Sequence, residues 1–240
     1  MKSIFITLGA VVTLTACASA PQTSRDQLTK TDDPAVVAGL FGGEVDLSET
    51  HPIGPINCPN AIDDTPFDKV FNFNPSETNV GCFYKGADAL YTLYAYDQKG
   101  RDLNSELQGV VNTVLTTKKD WQVTYDEKIS QTCTLSALLL GALTTNKDVN
   151  ITINPDAPTG DVDGYNYAVG VMTSEKIVTI AAVHSKHEML FKVRASSFHD
   201  KVTKEVVMKE CHRTAQVMRA LDASFDPSKI DKGGQDETAI

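Results

Sequence analysis

The chain has no excess of basic residues: 22 Lys and Arg stand against 31 Asp and Glu, for a formal net charge of −9. Nucleic-acid phosphates require a basic footprint, so nucleic acid is not an expected partner, and charge alone will not hold the chain on anionic lipid. Long apolar runs are also missing. Ile4 to Ala16 and Leu135 to Leu143 both fall short of the roughly 20 residues a membrane-crossing helix needs. No Cys-x-x-Cys pair occurs, which argues against a zinc cluster and against a thioredoxin-like redox pair. Gly-x-Ser-x-Gly, His-Glu-x-x-His and a phosphate-binding glycine loop are absent as well. No reaction class is therefore written in a local motif, and no cofactor is expected.

What is present fits an ordinary globular chain. Of 240 residues, 41% are apolar, enough for one sizeable core. The expected organisation is a leader over 1–16, a polar tether over 17–33, a single α+β domain over 34–225 and a disordered tail over 226–240. The tether carries no apolar period, and about 16 such residues span roughly 20–25 Å on average. Of the five cysteines, Cys58, Cys82, Cys133 and Cys211 lie in the domain. An even count in an exported chain suggests two disulfides, with three possible connectivities. Cys58–Cys82 with Cys133–Cys211 is favoured. The first would pin the Pro-rich stretch His51 to Pro59 to a strand, and the second would tie a helix to mid-chain.

Periodicity places the elements. Pro34 to Asp64 is rich in Gly and Pro and reads as irregular, with a short helix at Pro34–Leu40. Phe67 to Phe73 alternates as a strand. Val80 to Lys85 and Ala89 to Tyr96 make a hairpin whose second strand is apolar on both faces. Asp102 to Lys119 is a helix, with Leu103, Leu107, Val110, Val111, Val114 and Leu115 on one stripe and Asp102 as N-cap. Trp121 to Asp126 alternates as a strand, as does Val149 to Ile153. Leu135 to Leu143 is apolar without a readable period, and Asn154 to Gly164 reads as a loop. Ile177 to Val183 and Met189 to Ser196 form a second hairpin, with Met189, Phe191, Val193 and Ala195 inward and Lys192, Arg194 and Ser196 outward. Asp200 to Asp222 is a second amphipathic helix, with Val207, Cys211, Thr214, Met218 and Leu221 inward. The fold class is α+β, an antiparallel sheet of hairpins packed against two amphipathic helices. This order resembles the PsbP/Mog1 sandwich, in which a hairpin, a helix and a C-terminal helix pack on a twisted sheet.

Few residues suggest a site. His184 and His187, near Glu188, His199 and Asp200, are of the right types for a metal, but their spacing across a hairpin end aims them apart. Asp156, Asp161 and Asp163 form an acidic loop, yet position 170 is Gly where a calcium loop would place Glu. Lys192 and Arg194, beside Lys186, could grip an acidic ligand. The alternative is a face whose long stems pack on neighbours. Tyr84, Tyr91, Tyr94 and Tyr96 make the sheet aromatic-rich, for binding or for packing.

The strongest motif lies near residue 17. Lys2, the apolar run to Ala16 and then Leu14-Thr15-Ala16-Cys17 describe a secretory leader with a cysteine at its cut. The segment resembles the lipobox of bacterial lipoproteins. That resemblance implies cleavage between Ala16 and Cys17 and lipidation of Cys17. With Ala at position 18, it also implies a place on the outer membrane facing the periplasm. The lipid anchor is then the membrane contact, and the expected partner is another envelope protein or component. The expected role is a non-enzymatic binding or structural module. The alternatives are an envelope hydrolase or a small-ligand- or metal-binding lipoprotein.

Overall fold

The computed structural model describes residues 45–72, 80–145, 151–154, 157–162 and 165–229. The leader, the tether and the expected helix at 34–40 lie outside the described residues. Strands come first: β1 Val45–Ile53, β2 Ile56–Ile62, β3 Thr65–Asn72, β4 Val80–Lys85 and β5 Ala89–Asp97. Helix α1 (Leu103–Thr117), the two-residue β6 (Thr124–Tyr125) and helix α2 (Glu127–Thr145) follow. The chain continues through β7 Ile151–Ile153, β8 Thr159–Val162, β9 Tyr165–Thr173, β10 Ile177–Lys186 and β11 Met189–Phe198, and then helix α3, Lys204–Ala223. The strand order is β1-β2-β3-β4-β5-β11-β10-β9-β8-β7, with β6 paired to β9. Every pairing is antiparallel. The fold is α+β.

Strand alternation sends side chains to two helical layers. On β10, Val178, Ile180 and Ala182 join a core with Cys133 and Leu138 of α2 and Val207, Val217 and Leu221 of α3. Ala181 and Val183 of the same strand join Leu107, Val110, Val111 and Val114 of α1 on the opposite face. Both faces of the central strands are thus covered, which is why β5 and β10 read as apolar throughout. α1 begins where expected: the Asp102 side chain accepts the Ser105 backbone N–H at 2.9 Å. It also lies close to β9. A Cβ at Gly170 would come within 2.9 Å of Val111 Cγ2 and 3.2 Å of Leu107 Cδ1.

Four sequence expectations are corrected. First, a third helix exists. The apolar run 135–143 belongs to α2, whose polar start has a specific task. The Ser130 and Thr134 hydroxyls accept the backbone N–H groups of Val171 (2.9 Å) and Val169 (3.2 Å). They satisfy a stretch of the β9 edge that β8 and β6 do not cover. Second, the segment expected to be irregular up to residue 64 contains the β1–β2 hairpin from residue 45, with Gly54 at φ 54° in its turn. Its prolines sit on a short ladder at the sheet edge, where a missing N–H costs least. Third, the strand expected from Trp121 shrinks to Thr124–Tyr125. Lys119–Trp121 form a 3-10 turn and Gln122 is left-handed at φ 51°. Fourth, the loop expected at 154–164 contains β8, and Asp161 lies on it. Of the tail expected from 226, residues 226–229 are described: Pro227–Lys229 make a 3-10 turn and the Asp226 N–H donates to the Pro55 carbonyl at 2.8 Å, while the rest lies outside the described residues.

Two disulfides cross-link the described residues, Cys58–Cys82 and Cys133–Cys211. The first joins β2 to β4 and the second joins α2 to α3 within the core. No helix among the described residues is long and apolar enough to cross a membrane.

Candidate functional site

Lys192 and Arg194 do not face open solvent. The face of β11 turned away from the α2–α3 core lies under α1, where a cleft of about 420 Å³ opens between the helix and strands β5 and β11. The register sets Lys192 opposite Tyr94, and Arg194 opposite Thr92. Tyr94, Tyr96, Arg101, Glu106, Gly109, Val110 and Thr113 complete the lining. The β5–α1 connection supplies Arg101, and the first turn of α1 supplies Glu106, which favours the helix N-terminal dipole.

One carboxylate organises the floor. Lys192 Nζ donates to Glu106 Oε1 at 2.9 Å, and Arg101 Nη1 lies 3.8 Å from Oε2. Lys192 Nζ also stands 4.9 Å from the Tyr94 ring centre and 5.0 Å from that of Tyr96, and the Arg101 guanidinium is 5.5 Å from Tyr96. These are cation–π distances. Burial alone would raise the Glu106 carboxyl. The nearby Tyr96 hydroxyl, the hydrogen bond from Lys192 and the charges of Lys192 and Arg101 outweigh it, so its pKa falls below the ordinary value. Burial pushes the Tyr96 hydroxyl upward, and the neighbouring Glu106 carboxylate acts in the same direction.

Beyond Arg194, toward the end of α1, the floor turns to hydroxyls. Lys118 Nζ donates to Ser196 Oγ at 3.1 Å and to Thr179 Oγ1 at 3.5 Å, and these two hydroxyls lie 3.0 Å apart. Burial, then the charge of Arg194, push the Lys118 amine below its ordinary pKa.

The histidines are elsewhere. His184 is buried on β10, with Nδ1 2.8 Å from the Asn166 carbonyl oxygen and Nε2 3.6 Å from Asp222 Oδ1. His187 sits in the β10–β11 turn at φ 50° and stacks on Phe225 at 5.9 Å. His184 stacks at the same distance on Phe191, which meets Phe225 edge-on at 5.1 Å. Two phenyl rings thus separate the imidazoles, and no group of three metal-type side chains converges among the described residues. His199 lies 2.9 Å from Ser197 Oγ and 3.6 Å from Glu210 Oε1. Asp156 and Asp163 lie outside the described residues. Of the tyrosines, Tyr84 donates to the Pro59 carbonyl at 2.9 Å in the core, while Tyr94 and Tyr96 line the cleft.

Asp222 carries a pH-linked contribution to stability. Burial would raise its pKa, but the His184 imidazole, 3.6 Å away, and then the Lys186 amine (3.0 Å) more than reverse this, and the net shift is downward. A depressed carboxylate stabilises the fold above its unfolded pKa of about 4, and that contribution is lost as pH falls through the lower folded value. Asp222→Asn is expected to lower the melting temperature at neutral pH and to flatten its fall below pH ~4. Parallel melting curves against pH for the two proteins would refute this.

The chain matches no family model, and no curated protein matches it.

Sequence reading identified Lys192 and Arg194, and named Tyr94 and Tyr96 for binding or for packing, but did not bring the other companions to them. Glu106 was legible only as a helix-start acid and Lys118 as a helix-end base. Arg101, Tyr96 and Gly109 join them through the packing of α1 on the sheet.

Proposed function

We propose that this chain is a lipid-anchored binding module of a bacterial cell envelope. Cys17 holds it to the outer membrane facing the periplasm, and it engages another envelope component without catalysing a reaction. The lipobox Leu14-Thr15-Ala16-Cys17 supports the anchor. Two disulfides suit an oxidising compartment. The observation that carries the binding role is the cleft beneath α1. It is lined by tyrosine rings and cations, groups suited to holding a ligand by stacking and charge.

The test is in-cell crosslinking and affinity capture of wild type beside Cys17→Ser. Wild type is expected to incorporate radiolabelled palmitate, fractionate with membranes and capture a partner. Cys17→Ser is expected to lose the label, the membrane association and the partner. A Cys17→Ser protein that still takes up palmitate sinks the anchor. A purified protein that turns over an envelope substrate, and loses this through cleft substitutions, sinks the non-enzymatic role.

A further inference from the structure

The cleft holds more positive charge than the chain neutralises there. Beside Arg101, Lys192, Arg194 and the adjoining Lys118, the described lining residues include one carboxylate, Glu106. Glu106 is already committed to Lys192 and Arg101. Among the described residues the Arg194 guanidinium meets no carboxylate, and its near neighbour Lys118 is another cation. Partly buried like charges oppose one another unless a counter-anion joins them. In a chain of net charge −9, acids are plentiful elsewhere.

A second, independent observation concerns space. Gly109 stands in mid-helix on the cleft lining, and a Cβ built there meets nothing within 4 Å. Glycine inside a helix costs about 1 kcal/mol relative to alanine. No close neighbour requires it here, unlike Gly170 beneath the same helix. It leaves open space on a lining that also includes Tyr94 and Tyr96.

Building on the binding-module reading, we propose that this cleft is the site of a small organic phosphate. The phosphate is held by Arg194 and Lys192, and the body lies against Tyr94 and Tyr96 in the space left at Gly109. Positions 192 and 194 are two apart on one strand face, so their side chains rise roughly 7 Å apart. Long stems from that spacing can converge on one phosphate from two sides. The guanidinium offers a planar fork and the amine a point charge. Four cations against one carboxylate favour a dianion over a monoanion. The surrounding rings favour a ligand with a flat or sugar-like body over bare phosphate.

The test is calorimetric titration of the purified full chain in detergent with phenyl phosphate and, separately, with dihexanoyl phosphatidate. Phenol serves as the uncharged control. Saturable one-site binding is expected for at least one phosphate and none for phenol. The stronger probe shows whether the phosphate belongs to a free ester or to a lipid headgroup. Arg194→Gln should weaken binding at least tenfold, and Gly109→Trp should abolish it with an unchanged circular dichroism spectrum. Lys209→Gln, exposed on α3, should bind as wild type does. Absence of saturable binding by either phosphate overturns the proposal, as does unchanged affinity in both cleft variants. Repeating the crosslinking with Arg194→Gln separates the two readings. Partner capture by a chain that binds no phosphate leaves the binding module standing and removes the phosphate site. A phosphate-binding wild type that captures no partner does the reverse.

Discussion

Replacing Cys133 and Cys211 together by alanine is expected to cost about 4.5 kcal/mol of stability, by the loop-entropy relation for a large closed loop. The bridge spans 78 positions, against 24 for Cys58–Cys82, for which the same relation predicts about 3.5 kcal/mol. Cys133 and Cys211 are almost fully buried, at 2% and 5% exposure, between two helices that share one core. α2 meets the sheet through the hydroxyls of Ser130 and Thr134 and through a short apolar stretch that includes Ala137 and Leu138. Without the bridge that helix has much less to hold it. For a chain of this size, about 4.5 kcal/mol lowers the melting temperature by roughly 9–18 °C. Urea denaturation of the double variant, with the Cys58/Cys82 double variant beside it, checks both the size and the order. A loss under about 1 kcal/mol would show that the α2–α3 contacts hold without the bridge.

Arg213→Met is the second large loss expected, about 3–5 kcal/mol. Arg213 Nε lies 2.5 Å from Asp63 Oδ2, and Nη1 lies 2.9 Å and 3.1 Å from the two oxygens of Glu210. Glu210 is 3% exposed and Arg213 13%. The arginine therefore closes a mostly buried network that ties α3 to the β2–β3 turn, where Asp63 is left-handed at φ 49°. The Tyr91 hydroxyl, 3.5 Å from Asp63 Oδ2, joins from β5. Removing the cation leaves a buried carboxylate with its desolvation cost and little to offset it. Removing both charges does not, so Arg213→Met with Glu210→Leu should be more stable than Arg213→Met alone. If the two substitutions simply add in a double-mutant cycle, the network is not the reason this arginine matters.

Elements whose signal is local were legible without the fold. α1, α3 and β11 carry a period of 3.6 or 2 residues, and β4, β5 and β10 are short apolar runs bounded by turn signals, both being properties of neighbours along the chain. The N-cap at Asp102 and the inner face Val207, Cys211, Thr214, Met218 and Leu221 follow from the same local rules, and all five inner residues are buried. Other features needed the assembled structure. α2 places polar hydroxyls against the β9 edge, so its helical pattern makes sense only beside that edge. The β1–β2 hairpin carries prolines that a strand tolerates only at the margin of a sheet. The cleft joins Glu106 and Lys192, 86 positions apart. Arg213 reaches Asp63 across a much longer separation in the chain. Local periodicity determined which faces were apolar. Only the packing of α1 over β5 and β11 decided that the polar face of β11 would be enclosed, with Lys192 brought onto Glu106 and Arg194 left beside Lys118.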